Sequence, residues 1–482
     1  MENKVLTPTK PALKKEIGLM GFFCLAFGSM IGVGWVTALG GWLEQAGPLG
    51  ATLAFLVGGI FMMLIGLCYA EVTSMLPLAG GEVAYAYKSY GTSKAFIVGW
   101  FLAFGYLSVS AFEAISIGKV LSYIFPAIDR WPLYQMGGDT VYGTHLILAF
   151  IFTGLITCIN YRGVGSSANF QTLLTFGIIL VFFVFIIAGF SGGSLQHWQP
   201  VFAKTDFPGI LGGILIVLVT VPFWFVGFDT IPQSAEEARE AVHPKKLGIL
   251  IIVAIVAATT FYVLLILSAA MATPWQKIIH AELPTAEAFE QAFHAPWLVN
   301  LVLVAALIGL LTSWNGFFLA CSRVLFALGR GKIISGKFGE THPEHGTPTY
   351  AILFCGILTF LSAFLGRNAL IAFVDVGSFC MVIAFLGVSL SLIKLRKNYP
   401  HMHRPYRIAG GMKVGYASAG VTVLIMLAML IPKSPAALVW PVEWLLLGFI
   451  ALSGLIFWLS SQKMRRQLDE KERAALILDR FV

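Results

Sequence analysis

Long apolar runs dominate the chain, interrupted by short clusters of proline, glycine and charge. A helix needs about 20 predominantly apolar residues to cross the hydrocarbon core of a bilayer. Twelve such runs are predicted as spanning helices, near 17–44, 49–76, 95–125, 143–161, 167–190, 207–236, 246–271, 297–328, 348–366, 369–396, 413–431 and 438–461. They are numbered here as spans 1 to 12. The longest outer connection, about 273–296, carries Glu282, Glu287 and Glu290 with two prolines. Short helices are expected there, lying over the outer face. From Lys463 onward, charges alternate with Leu468, Ala475, Leu476, Leu478 and Phe481. That is the pattern of a short amphipathic helix at a membrane surface. The fold class is therefore all-α, a polytopic membrane protein.

Composition agrees with the pattern. Hydrophobic residues make up 58% of 482 positions and charged residues 12%, against roughly a quarter charged in soluble domains. The net charge of +8 raises the question of nucleic acid, and its placement answers it. With the N-terminus inside, 26 of the 32 Lys and Arg fall on the inner side. The outer side keeps Lys119, Arg130, Lys204, Lys277, Arg367 and Lys433. This positive-inside bias puts both termini in the cytoplasm and leaves no nucleic-acid surface. The six cysteines stand singly in apolar runs, without the spacing of a metal or redox site. No cleavable signal is expected, because Lys14 and Lys15 lead into a long apolar helix with no small-residue cleavage site.

Two spans are interrupted in the same way. Span 1 carries Gly28-Ser29-Met30-Ile31-Gly32-Val33-Gly34 at its middle. Span 6 carries Pro222, then Phe223-Trp224-Phe225-Val226-Gly227-Phe228-Asp229. Each glycine weakens a helix by roughly 1 kcal/mol relative to alanine, and proline removes a hydrogen bond. Broken backbone at membrane depth is tolerated where it lines a cavity or is buried in protein. Matched breaks five spans apart point to inverted repeats with a binding site between them. The expected organisation is a segment 1–16, a first repeat over 17–190, a second over 207–396, two added spans over 413–461 and a tail over 462–482. Close helix packing is the other reading of the glycines.

The residues also resemble a family over nearly the whole chain: the amino acid–polyamine–organocation permeases, with the LeuT-like five-plus-five fold. Gly28 through Gly34 is similar to the glycine-rich first-helix motif. Tyr69-Ala70-Glu71 through Pro77-Leu78-Ala79-Gly80-Gly81-Glu82-Val83-Ala84-Tyr85 resembles the span 2–3 signature, and Asn160-Tyr161-Arg162-Gly163-Val164 the span 4–5 turn. Gly227-Phe228-Asp229, Ala235-Glu236-Glu237 and His243-Pro244 are similar to the sixth helix and its exit. Ser322-Arg323 with Gly331, and Arg404-Pro405-Tyr406-Arg407, match further landmarks.

Backbone physics gives the expected site. An unwound helix exposes N–H groups at the start of its second half and carbonyls at the end of its first. The amides near Gly32, Val33 and Gly34 are expected to hold a substrate carboxylate. Carbonyls near Met30, Phe223 and Val226 could accept from an ammonium. With Ser29, Ile31, Trp224, Gly227 and Asp229 they form the candidate substrate set. Phe223 is the candidate gate, a role that the resemblance also implies. Asp229 could bind a cationic substrate, carry a proton or cap the second half of its helix. Glu113 could serve proton or substrate, pair with Lys119, or make a polar helix contact. Glu71 reads as structural. Glu236 and Glu237 are expected mainly in solvent, with a salt-bridge gate as the alternative.

Coupling is open. Several family members place a lysine in span 5, and Ile178 occupies that position here. Thr312 and Ser313 of span 8, with the carbonyls of Gly28 and Ile31, form a candidate sodium cage. The other reading has those hydroxyls bonded back to their own helix. Proton coupling through Asp229 or Glu113, and uncoupled exchange, remain alternatives. No cofactor or resident metal is expected, Na+ and H+ being coupling ions. His342-Pro343-Glu344-His345 lies in a loop and reads as no metal site. The functions in play are amino acid transport, amine or polyamine transport or exchange, and a permease-like membrane sensor. An enzyme would need convergent titratable groups, which the spans lack. The expected partners are a small-molecule substrate and the lipid bilayer, with the chain a monomer or weak oligomer in a plasma or bacterial inner membrane.

Overall fold

A backbone inside a bilayer must satisfy its own hydrogen bonds, which helices do within one segment. Among the described residues, eleven helices are long and apolar enough to cross a membrane. The computed structural model describes residues 12–136, 139–281, 283–366, 369–434 and 436–481. Lys4, Lys10, Glu282, Arg367 and the segment 1–11 lie outside the described residues. Span 9 is a shorter apolar helix, Thr349–Ser362, that continues as a 3-10 turn over Ala363–Leu365. At about 1.5 Å per α-helical residue and 2 Å per 3-10 residue, it rises roughly 27 Å.

The first two spans follow the expected boundaries for a physical reason. Helix Leu19–Met30 stops, resumes at Gly34 and stays helical through Ala38 (φ −96°, ψ −12°). The chain then turns at Gly47 (φ +70°, ψ 174°), and Pro48 opens span 2, which ends at Met75. Span 3 is Thr92–Ile124, span 4 Gly143–Arg162 and span 5 Val164–Gly192. Span 6 is interrupted within the expected 207–236, at the Pro222–Asp229 stretch. It runs Phe207–Phe225, breaks, and returns as the short turn Thr230–Gln233. Span 7 is Pro244–Ala272, span 8 Pro296–Arg330, span 10 Ala369–Asn398, span 11 Met412–Leu430 and span 12 Val442–Ser460.

Span 2 packs along span 7, and spans 8 and 10 along span 3. The core gathers around these pairs, with Trp35, Trp100, Trp314, Tyr69, Tyr85, Tyr106 and Tyr262 fully buried. Span 5 turns Leu173, Leu180, Phe183 and Ile187 outward as an exposed apolar stripe, the face a lipid tail accepts.

Three connecting regions extend or correct the sequence expectations. The connection over 273–296 holds helix Pro284–Phe293, as expected, and its Thr285 hydroxyl donates to the Trp35 carbonyl at 2.8 Å. The span 3–4 connection holds an antiparallel hairpin, Pro132–Met136 with Asp139–Tyr142, that the pattern did not reveal. The tail forms helix Glu470–Leu478, opened by an Asp469/Glu472 capping box. Its apolar face does not lie free at a membrane surface. Arg473, Ile477 and Leu478 are buried, and Ile477 rests on Gly331. Burial against the protein removes the same apolar area from water that a bilayer would.

Candidate functional site

The two helix breaks meet. Gly227 has φ +133°, a conformation open to glycine. A β-carbon there would stand 2.7 Å from the Met30 nitrogen. The break in span 6 is thus pressed against the break in span 1. On span 8, a β-carbon on Gly309 would stand 2.7 Å from the Gly32 carbonyl oxygen and 3.0 Å from that of Ile31. Tyr262 of span 7 joins both broken ends. Its hydroxyl donates to the Met30 carbonyl at 2.8 Å, with the Trp224 carbonyl at 3.3 Å as a second acceptor. Tyr262 was not anticipated. A tyrosine in an otherwise apolar helix is its only mark in the sequence.

A small cavity of about 20 Å³, room for about one water molecule, lies at the meeting point. Ser29, Met30, Gly32, Gly34, Phe223, Trp224 and Val226 of the expected set line it. Ile31 and Val33 are buried and do not line it; the Ile31 carbonyl turns to Gly309. Span 3 adds Val109, Phe112 and Glu113, and span 8 adds Ser313 and Phe317. Phe223 lies 6.3 Å from Phe112 and edge-on to Trp224, whose ring covers the α-carbon of Gly34. Trp224 also meets Trp42 at 5.3 Å and donates to the Thr220 hydroxyl at 3.1 Å. Phe225 turns away, packed between Phe55 and Tyr262. Two of the three aromatic residues in the run therefore face the cavity.

Of the candidate ion residues, Gly28 and Thr312 stand together, a β-carbon on Gly28 coming 3.4 Å from the Thr312 β-carbon. The Thr312 hydroxyl donates back to Gly309 at 2.9 Å and Ile308 at 3.1 Å. Ser313 instead faces Gly32. Gly28 faces Gln171 and Thr175 of span 5. The Gln171 amide donates to the Thr312 carbonyl at 3.0 Å and the Cys24 carbonyl at 3.3 Å. A neutral donor thus ties spans 1 and 8 together beside Gly28.

Asp229 lies one turn past the cavity and does not cap Thr230–Gln233. Its carboxylate accepts from the Gly227 nitrogen at 2.8 Å and the Tyr106 hydroxyl at 2.7 Å. Gln233 connects this pair to Glu82: its amide donates to the Tyr106 oxygen at 3.1 Å and to Glu82. Glu82 sits in helix Gly81–Tyr90, between spans 2 and 3. Burial pushes its carboxyl up from an ordinary value near 4.5 to about 8, and the negative charge of Asp229 pushes the same way.

The two acidic residues at the exit of span 6 differ from expectation. Glu237 is fully buried and makes a two-pronged pair with Arg323, at 2.7 and 3.0 Å. Glu236 pairs in the same way with Arg330, at 2.7 and 2.9 Å, and accepts from the Ala79 nitrogen at 3.0 Å. Glu237 is shut off from solvent, whereas Glu236 stays partly exposed. An arginine fork matches a carboxylate bond for bond, and the fold brings the arginines of span 8 across. Glu71 is structural as expected, held by Arg396 at 2.5 and 2.8 Å, by Arg404 at 3.2 Å and by the Ile408 nitrogen at 2.9 Å. Among the described residues, no group of three His, Cys, Asp or Glu could hold a metal ion.

The profile of the family described as "Amino acid permease" matches residues 17–456. This chain belongs to the amino acid permease family. The match covers both breaks and every cavity residue named above. Among similar proteins of Bacillus subtilis, the branched-chain amino acid permease BcaP is 27% identical over 463 residues, 95% of each chain. A methylthioribose transporter is 27% identical over 457 residues, 93% of this chain and 92% of its own. An aspartate-proton symporter is 26% identical over 429 residues, 86% of this chain and 79% of its own. The family is one of transporters, and the many apolar helices of this member fit a multi-pass membrane protein.

Proposed function

We propose that this chain is a secondary transporter of amino acids, working by alternating access around the paired breaks of spans 1 and 6. The contact of Gly227 on Met30 carries the reading. It sets two interrupted helices together at one cavity, beside the amides of Gly32–Gly34, which have no helical partner. The amides at Gly32–Gly34 receive the substrate carboxylate. The carbonyls at Met30, Phe223 and Val226 receive its ammonium, with Tyr262 holding the Met30 carbonyl in place. Phe223 and Trp224 close over the substrate. The pairs Arg323–Glu237 and Arg330–Glu236 close the opposite, inner side and part when the site opens there.

The twelve-span, five-plus-five arrangement belongs to this reading. The packing of span 2 on span 7 and of span 3 on span 8 supports it, since a two-fold relating spans 1–5 to 6–10 carries those pairs onto themselves. The bias of Lys and Arg supports cytoplasmic termini in a plasma or bacterial inner membrane. For the coupling ion we favour the proton over sodium. The chain Asp229–Tyr106–Gln233–Glu82 links two buried carboxyls, whereas the Thr312 hydroxyl is committed to its own helix.

The test is uptake into proteoliposomes of purified protein, one amino acid at a time, under an imposed pH or sodium gradient. A pH gradient is expected to drive accumulation, and Asp229→Asn to remove the drive while substrate still binds. Accumulation that follows sodium alone would reject the proton assignment. No uptake or exchange of any amino acid or amine would reject the transporter reading.

A further inference from the structure

Glu113 bears on which substrates the cavity admits. Among the described residues that line the cavity, it is the one carboxyl, and none is Lys, Arg or His. It stands within span 3 and is 2% exposed. Its Oε1 and the Ser313 hydroxyl crowd the α-carbon of Gly32, where a β-carbon would come within 2.9 and 3.1 Å of them. Its Oε2 has no hydrogen-bond partner within the protein. A carboxylate removed from water is costly unless a cation or hydrogen bonds compensate it. The neighbouring rings of Phe112, Phe223, Trp224 and Phe317 supply no hydrogen-bond donor to Glu113, but their faces attract cations.

A second argument comes from the backbone. A substrate carboxylate at Gly32–Gly34 lies beside Glu113, carboxylate against carboxylate. A zwitterion brings one ammonium for two anions. A substrate with a further positive group brings one for each. We propose that Glu113 selects substrates of net positive charge, dibasic amino acids or amines, by pairing with an alkylammonium group in the cavity. This rests on the transporter reading above and narrows its substrate class. The aromatic rings then complete the cation's surroundings, and Ser313 holds the carboxyl toward the cavity.

The experiment is thermal stabilisation of the purified full-length protein in detergent at pH 7, since a ligand of the folded state raises its apparent stability. The ligands are lysine, ornithine, putrescine, leucine and glutamate, applied to the wild type, Glu113→Gln and Glu113→Asp. Lysine, ornithine or putrescine is expected to bind the wild type at least about tenfold tighter than leucine or glutamate. Glu113→Gln is expected to lose about tenfold or more for the cations without weakening leucine. Glu113→Asp is expected to keep the order of preference at lower affinity. Binding of lysine without putrescine identifies a dibasic amino acid that also uses the Gly32–Gly34 amides; putrescine without lysine identifies an amine.

Leucine or glutamate binding the wild type as tightly as the cations overturns the proposal and leaves the transporter reading intact. So does a Gln variant that keeps full cation affinity. If Glu113→Gln fails to fold, the wild-type ranking and the Asp variant decide. If none of the ligands stabilises the wild type, this proposal falls, and the uptake assay above decides the transporter reading separately.

Discussion

The central cavity and the proposed inner closure are built from opposite materials. At the closure, Glu236, Glu237 and Glu71 each meet an arginine, and Glu71 meets two. In the cavity, polar capacity is backbone amides and carbonyls, two serines, the Tyr262 hydroxyl and one carboxyl with an oxygen left over. Buried charges that are fully paired hold parts of a protein together. A buried carboxyl without a counter-charge is held in readiness for something else, because nothing in the fold compensates it. In the proposed function, the difference separates the pairs assigned to closure from the residues assigned to reading the substrate.

Substitutions can break this comparison, and the largest effect is expected at the closure. Arg323→Ala leaves Glu237 buried with no cation. Loss of one partner of a buried pair costs about 3–5 kcal/mol, so thermal unfolding in detergent should drop sharply. Restoring charge balance with Glu237→Gln should recover part of the loss. An unchanged midpoint would mean that the pair carries no weight in the folded state.

Next is Gly32→Leu. Its side chain would meet Glu113 and Ser313 side chains, which can move aside, and would fill the cavity. Substrate affinity is expected to fall by about 100-fold, roughly 2.7 kcal/mol, with the protein still folded. Normal binding would move the substrate site elsewhere.

A third test uses pH. The Glu82 carboxyl titrates near 8 when folded and near 4.5 when free. Its proton is held more tightly in the folded state, so its stabilising effect is complete below about pH 4.5 and fades as pH rises through 8. Unfolding midpoints should therefore decline from pH 5 to pH 8.5, and Glu82→Gln should flatten the decline. An equally steep slope in the variant would assign the dependence to other groups.

The smallest effect is expected from Tyr262→Phe. It removes one hydroxyl from the Met30 carbonyl, a hydrogen bond worth about 1 kcal/mol net. Stability should fall by that amount, and substrate affinity by a few-fold, because the carbonyl loses its anchor. Unaltered affinity would mean that the Met30 carbonyl does not receive substrate.

Some of this was open to inspection in the sequence. The break residues Gly28 to Gly34 and Phe223 to Asp229 announce themselves because glycine and proline are costly within a helix, and that cost is local. The boundary at Gly47 and Pro48 was legible for the same reason. Glu236 and Glu237 were misjudged, since a charged pair after an apolar helix looks like an exposed end. Their arginines lie 94 and 86 residues further along the chain. Tyr262 and Gln233 carried no signal, because a single polar atom in an apolar stretch has a meaning only once its partner is known. The hairpin at 132–142 was hidden by being short and mixed in polarity. The tail's amphipathic stripe was visible, but a stripe does not say which apolar surface covers it.

The sequence alone determined the long apolar helices, the excess of lysine and arginine in alternate connections, the two interruptions and the family. Each rests on a property of a local run of residues: apolar length, the distribution of lysine and arginine, or the helix-breaking tendency of glycine and proline. The tertiary structure alone decided which carboxyls are paired and which face the cavity, that Trp224 covers Gly34, and that Tyr262 ties the broken ends together. The reason is that burial and hydrogen-bond partnership are relations between distant parts of the chain. They exist only when packing has brought span 1 against span 6 and span 8 across both.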